Sequence, residues 1–313
     1  MSSSTPPLDT DTKAHGWWHW LPVASHPFIF VARLDRPIGC WLLLLPSWWS
    51  ISLGAPSTGI MLWVMSLFLI GAIATRAMGC IINDMWDQRL DQQVARTSAR
   101  PLAAGTISMT QASVFLMALG LIGLLVLFQL PPLAIYVGLA AAPLVVLYPL
   151  AKRVTRFPQL VLGLTFSWGV LLGWTAVTAS LPTFSIIWIY AGCVAWVFGY
   201  DTIYAIQDME DDRIVGIKSS ALAFGNKIKY GTATAYAIAI VLIATGLFVR
   251  GHNELQPVIM GWVGLGCMAI HLGAQTYKIR NNDPKLALQL FKSNQHAGLL
   301  LFAGLMLDRL SAG

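Results

Sequence analysis

Residues 59–91 read GIMLWVMSLFLIGAIATRAMGCIINDMWDQRLD. The first 24 carry no charge except Arg76. As a helix, that run is long enough to cross about 30 Å of hydrocarbon. The last nine place Asn83, Asp84, Asp87 and Asp91 at the end of the apolar run. A helix built for lipid that ends in concentrated acid decides the fold class, and it asks what the acid is for.

The rest of the chain follows the same pattern. Of 313 residues, 56% are hydrophobic and 11% charged, and mean hydropathy is +0.65. A soluble domain carries about a quarter charged residues. Uncharged stretches recur near 38–54, 59–82, 109–130, 133–150, 160–180, 184–206, 230–249, 257–275 and 294–311. None alternates at period two, so the expectation is an all-α polytopic membrane protein of about nine transmembrane helices, not a barrel. Pro56, Pro131, Pro132 and Pro182 fall in the gaps. Pro46 makes the first span the least regular.

Basic residues set the orientation. Seventeen Lys and Arg fall on one face, from Lys13, Arg33 and Arg36 to Lys292, and only Arg250 and Arg309 on the other. The positive-inside rule makes the charged face cytoplasmic. The net charge of +6 thus reflects topology and excludes nucleic acid as the expected partner. Residues 1–13 read as a disordered tail and 14–313 as one transmembrane domain, with 14–37 an aromatic-rich interfacial entry segment. The first residues have neither a secretory n-region nor presequence arginines, so a bacterial inner membrane is the expected home. Cys40, Cys80, Cys193 and Cys267 read as buried small hydrophobes. The histidines have no metal-ligand spacing.

Eight of the fourteen acidic residues lie in two clusters: Asp84, Asp87, Asp91, then Asp201, Asp208, Glu210, Asp211 and Asp212. Each follows a long apolar span on the cytoplasmic side. At helical spacing Asn83, Asp87 and Asp91 stay within about 80° of one another, with Asp84 just outside. Asp201, Tyr204, Asp208 and Asp212 likewise follow one stripe. Glu210 and Asp211 read as solvated helix-end charge. Converging carboxylates repel unless cations lie between them, and hard oxygen donors suit Mg²⁺ bridging to phosphate. Arg96 and Arg100 follow the first cluster, Lys152 and Arg153 lie in the next cytoplasmic loop, and Lys218 follows the second cluster; Mg²⁺ with several basic groups clamps a diphosphate. Arg76 shares the Asn83–Asp87 face roughly 10 Å deeper. It either recognises an anionic second substrate or pairs with Asp201 or backbone carbonyls. A divalent-cation transporter is the competing class, but it would place acid on both faces or near the midplane. A membrane scaffold gives no reason for converging carboxylates.

The stretch NDMWDQRLDQQVARTSARPLAAG (83–105) resembles the first aspartate-rich motif of the UbiA-type intramembrane aromatic prenyltransferases, and YDTIYAIQDMEDDRIVGIKSSALAFG (200–225) resembles their second. RLDRPIGCWLLLLPSWWS (33–50) and YPLAKRVTRFPQ (148–159) are similar to the branch that prenylates 4-hydroxybenzoate in ubiquinone biosynthesis. The resemblance implies nine helices around a central cavity capped on the cytoplasmic side. It implies Mg²⁺ and a polyprenyl diphosphate held by Asn83, Asp87, Asp91, Asp201, Asp208 and Asp212, with Asp84 as a further ligand or a neighbour of ligands. Arg96, Arg100, Lys152 and Arg153 match positions near the diphosphate or the aromatic acid, and Arg36 is a further candidate for binding substrate. Tyr204, Tyr200 and Trp168 are candidate walls for an allyl cation, and Asp201 a candidate to orient the phenol. Homogentisate, dihydroxynaphthoate and haem remain alternative acceptors. No obligate protein partner is expected beyond the bilayer.

Overall fold

The structure, a computed structural model, describes residues 16–94, 97–253, 258–281 and 283–311. The tail 1–13 and Arg96 lie outside the described residues. All regular elements among the described residues are helical. They are α1 (His26–Val31), α2 (Ile38–Gly54), α3 (Thr58–Asp91), α4 (Met109–Leu127), α5 (Pro132–Ala140), α6 (Ala142–Leu147), α7 (Ala151–Val154) and α8 (Pro158–Ser167). Then come α9 (Gly169–Thr178), α10 (Phe184–Tyr204), α11 (Met209–Val215), α12 (Ser220–Phe224), α13 (Ile228–Asn253), α14 (Ile259–Lys278) and α15 (Pro284–Ser311).

Backbone polar groups have no water partner in lipid, so an apolar run satisfies them internally as helix. Among the described residues, five helical stretches are long and apolar enough to cross a membrane: Thr58–Asp91, Met109–Leu127, Pro158–Thr178, Phe184–Asp208 and Ser220–His252. Ile38–Gly54 and Pro132–Leu147 are shorter apolar helices. Prolines begin α5, α8 and α15, where the missing N–H has no intrahelical acceptor to lose. At 34 residues α3 is about 50 Å long, more than the roughly 30 Å of hydrocarbon that a span crosses. On α4 the apolar residues Val114, Met117, Leu121 and Leu125 are each more than half exposed, the inverse of a soluble helix and suited to lipid.

The chain divides into two compact units, residues 1–40 with 70–126, and residues 41–69 with 127–313. In the first, Val31, Ala32, Ala74, Ala77 and Ile81 form a core with Leu102, Ile107, Ala112 and Leu119. That core joins α1, the second half of α3, the segment after it and α4. Gln88 Nε2 donates to Leu102 O at 3.1 Å and Gln92 Nε2 to Ala103 O at 3.3 Å, folding the 97–107 segment back onto the acidic end of α3. Met85 packs on this core, and Trp86 beside it is 46% exposed. In the second unit α10 packs on α13 and α8, and α14 on α15. Glycines allow the close approaches: Gly192 faces Ile243 and the Ala239 carbonyl, and Gly264 faces the Leu300 carbonyl. Small residues at helix contacts are the usual solution in lipid.

Candidate functional site

In the first unit α3 carries Asp84, Asp87 and Asp91, all buried, with exposures of 1%, 8% and 6%. Asn83 is half-buried. Buried carboxylates need counter-charge. Arg33 Nη2 donates to Asp84 Oδ1 and Oδ2 at 2.9 and 3.0 Å. Arg100 Nη1 donates to Asp91 Oδ2 and Oδ1 at 2.9 and 3.0 Å and reaches Asp84 Oδ1 at 3.3 Å. Two guanidiniums and two carboxylates thus form one chain, Arg33–Asp84–Arg100–Asp91. Arg100 arrives there because the segment from Thr97 is tied back to α3: Thr97 Oγ1 donates to the Asp91 carbonyl at 3.1 Å.

Arg36 Nε donates to Asp35 Oδ2 at 3.0 Å. Burial pushes the Asp35 carboxyl above the usual carboxylate range, against the opposing pull of Arg36 and Arg33. Deeper on α3, Arg76 Nη1 donates to Cys80 Sγ at 2.8 Å, one helical turn on. Gly39 at the start of α2 makes room for this guanidinium, since a Cβ there would meet Cζ and Nη2 at 3.0 Å.

In the second unit the second acidic stretch is not one straight helix. The α-helix ends at Tyr204, a 3-10 turn spans Ala205–Asp208, and α11 begins at Met209. Asp201 and Tyr204 therefore lie on α10, Asp208 closes the turn, and Asp212 lies on α11. The stripe read at uniform 100° steps is re-registered at that turn. Asp201, Tyr204, Asp208 and Asp212 are all half-buried, and Glu210 is exposed. The Tyr204 ring lies 4.6 Å from that of Phe291, and Tyr200, 1% exposed, is packed between Trp196 and Phe291. Trp168 donates to the Val137 carbonyl at 2.8 Å and meets Tyr190 edge-on.

The loop after α11 is tied down within the same unit. Lys218 Nζ donates to Val154 O at 3.2 Å, and Ser220 N to Gln159 Oε1 at 2.9 Å. Lys218 thus lies against the turn that follows Lys152 and Arg153. Arg153 is exposed, and the Lys152 side chain lies outside the described residues.

The motif residues offer carboxylate and amide oxygens without Cys or His, which fits a hard cation such as Mg²⁺. Among the described residues no three acidic, His or Cys side chains form a metal-binding group. The oxygens fit a cation that completes its shell with water and phosphate.

Residues 43–299 match the profile of the UbiA prenyltransferase family. The chain belongs to that family. It is 43% identical over 295 residues to a rat protein named 4-hydroxybenzoate polyprenyltransferase, mitochondrial, covering 92% of this chain and 76% of that one. The human protein of the same name is 42% identical, covering 92% and 77%. The Aedes aegypti protein is 41% identical over 93% of this chain, which spans 65% of that relative's length. Among solved structures, an apo UbiA homologue from Aeropyrum pernix K1 aligns at a TM-score of 0.71 with 23% identity, covering 86% of this chain and 97% of that one. A UbiA homologue from Archaeoglobus fulgidus bound to GPP and Mg²⁺ aligns at 0.63 with 18% identity, covering 91% and 99%.

Within this UbiA-family chain, Arg33 is the site residue that sequence reasoning passed over, taking it for a topology charge. The signal was there in part, since Arg33 opens RLDRPIG. Its pairing with Asp84, 51 residues away, has no periodicity to reveal it.

Proposed function

We propose that this chain transfers a polyprenyl group from polyprenyl diphosphate to the ring carbon ortho to the hydroxyl of 4-hydroxybenzoate, releasing diphosphate, in ubiquinone biosynthesis. The observation that carries the reading is a set of buried carboxylates, Asp84, Asp87 and Asp91, countered by arginines at the end of an apolar helix. Relatives above 40% identity carry the name of that activity, and family structures bind prenyl diphosphates with Mg²⁺. Asn83, Asp87, Asp91, Asp208 and Asp212 are the proposed metal ligands, and Asp84 is in contact with the set. Mg²⁺, when bound, neutralises the departing diphosphate and eases breaking of the allylic C–O bond.

This chain's residues do the rest. Arg96, Arg100, Lys152, Arg153 and Lys218 bind phosphate oxygens, and Arg36 and Arg76 are placed for the anionic acceptor. Tyr200 and Tyr204 exclude water from the allyl cation and face it with aromatic surface. The C–O bond breaks with its electron pair leaving on the diphosphate, and the acceptor ring carbon then forms the new C–C bond with the allyl cation. A base takes the ring proton to restore the aromatic ring, and Asp201 orients the phenol or assists that loss. Residues 14–313 act as one domain in this reading, with nine spans and a cavity capped on the positively charged, cytoplasmic face. A bacterial inner membrane draws no support from relatives whose names carry the word mitochondrial.

Membranes containing the protein, given labelled 4-hydroxybenzoate, a polyprenyl diphosphate and Mg²⁺, should form prenylated product. Asp87→Ala or Asp208→Ala should slow it about 100-fold or more. No product, or product insensitive to both substitutions, would overturn the reading. Chelation should stop the reaction and added Mg²⁺ restore it. Homogentisate or dihydroxynaphthoate in place of the acceptor tests specificity in the same assay.

A further inference from the structure

Arg33 stands where a glycine is usual. Helix α1 ends in a Schellman motif: Leu34 N bonds Ile29 O at 3.0 Å and Arg33 N bonds Phe30 O at 3.1 Å. The residue between the helix and Leu34 must be left-handed, and Arg33 has φ +56°. A non-glycine residue there is strained, because its Cβ crowds the following carbonyl. The neighbours fix the backbone, because Val31 and Ala32 are in the core of the first unit and Leu34 packs on it. The strained backbone aims the guanidinium at Asp84, with Nη1 held on Phe30 O at 2.8 Å and Nη2 on both Asp84 oxygens. Asp84, 1% exposed, in turn receives Arg100, whose same nitrogen holds Asp91.

We propose that Arg33 is a positioning residue for the first acidic motif: it fixes Asp84 as a neutralised anchor for Arg100, not as a metal ligand, and so sets Arg100 against Asp91. The proposal rests on the metal and diphosphate reading above and assigns Asp84 a role within it. The left-handed position explains the residue choice. Glycine would relax the backbone but leave Asp84 and Asp91 to share the one Arg100 guanidinium, and buried carboxylates short of counter-charge are costly.

The test uses the purified full-length protein with Mn²⁺ and inorganic pyrophosphate, bound Mn²⁺ being read by its electron paramagnetic resonance. Arg33→Gln should weaken Mn²⁺ binding about 10- to 100-fold, the range for residues that orient metal ligands. Arg33→Gly should lose as much although its backbone is relaxed, and it serves if the glutamine variant folds poorly. Asp84→Asn, which keeps an oxygen for Arg100, should lose less than Asp87→Asn. The Arg33→Gln/Asp84→Asn double variant should bind no worse than Arg33→Gln alone. Wild-type binding in Arg33→Gly, or a loss in Asp84→Asn equal to that in Asp87→Asn, would overturn the role of Arg33. Wild-type binding in Asp87→Asn would instead sink the metal reading, and the proposal with it.

Discussion

Gly39 bears on Arg76 through a single missing atom. A β-carbon there would run into the Arg76 guanidinium, which is the movable end of a long side chain and not backbone. Gly39→Ala should therefore shift the guanidinium and leave the fold standing, since alanine within a helix gains about 1 kcal/mol over glycine. If Arg76 holds the acceptor carboxylate, KM for 4-hydroxybenzoate should rise about 10-fold or more, as hydrogen bonds to charged groups are worth roughly 1.5–3 kcal/mol. KM for the prenyl diphosphate should stay put. Unchanged acceptor KM would make Arg76 a structural arginine held by Cys80. The depth of Arg76 was legible from its place in an apolar run, but not Gly39, because a glycine opposite a guanidinium 37 positions on leaves no local mark.

At the scale of elements, the 3-10 turn Ala205–Asp208 and the short α11 decide where Asp208 and Asp212 point. Spacing alone misread them as one helix, since no proline or glycine marks the break between Tyr204 and Met209. The far end of α11 is marked. Gly216 has φ +76°, its N–H bonds Asp212 O, and nothing lies within reach of an added Cβ. Gly216→Ala is then pure backbone strain and should cost about 1 kcal/mol in unfolding experiments. Gly216→Asn should cost less, because asparagine tolerates the left-handed region. Equal costs would show that glycine serves something other than its backbone freedom. The five long apolar helices were legible, because lipid leaves a chain few ways to satisfy its backbone. The start of α15 was not: it begins at Pro284, ten residues before the apolar run read from 294.

At the scale of the whole molecule, a membrane protein gains little from hiding apolar surface between helices, so the second unit adds polar links to its small-residue contacts. Asn294 is fully buried on α15, and its Oδ1 accepts from Trp196 Nε1 of α10 at 2.9 Å and from Tyr236 of α13 at 3.2 Å. The same Tyr236 hydroxyl lies 2.9 Å from Gln275 Oε1 of α14, and Gln275 Nε2 donates to Ser293 Oγ at 2.7 Å. Four helices thus share one hydrogen-bonded centre, and Trp49 of α2 stacks on Trp196 at 5.3 Å and donates to Gly298 O. Asn294→Ala strands the indole N–H and removes one acceptor from the tyrosine, which should cost about 1–3 kcal/mol. Trp196→Phe in the same background removes the stranded donor, so the pair should show a coupling energy of roughly 0.6–1.7 kcal/mol in a double-mutant cycle. Strict additivity would mean the two side chains hold their helices independently. Prenyl transfer should survive Asn294→Ala at low temperature, because none of these groups belongs to the acidic motifs. It should fail earlier on heating, in step with loss of helix–helix packing.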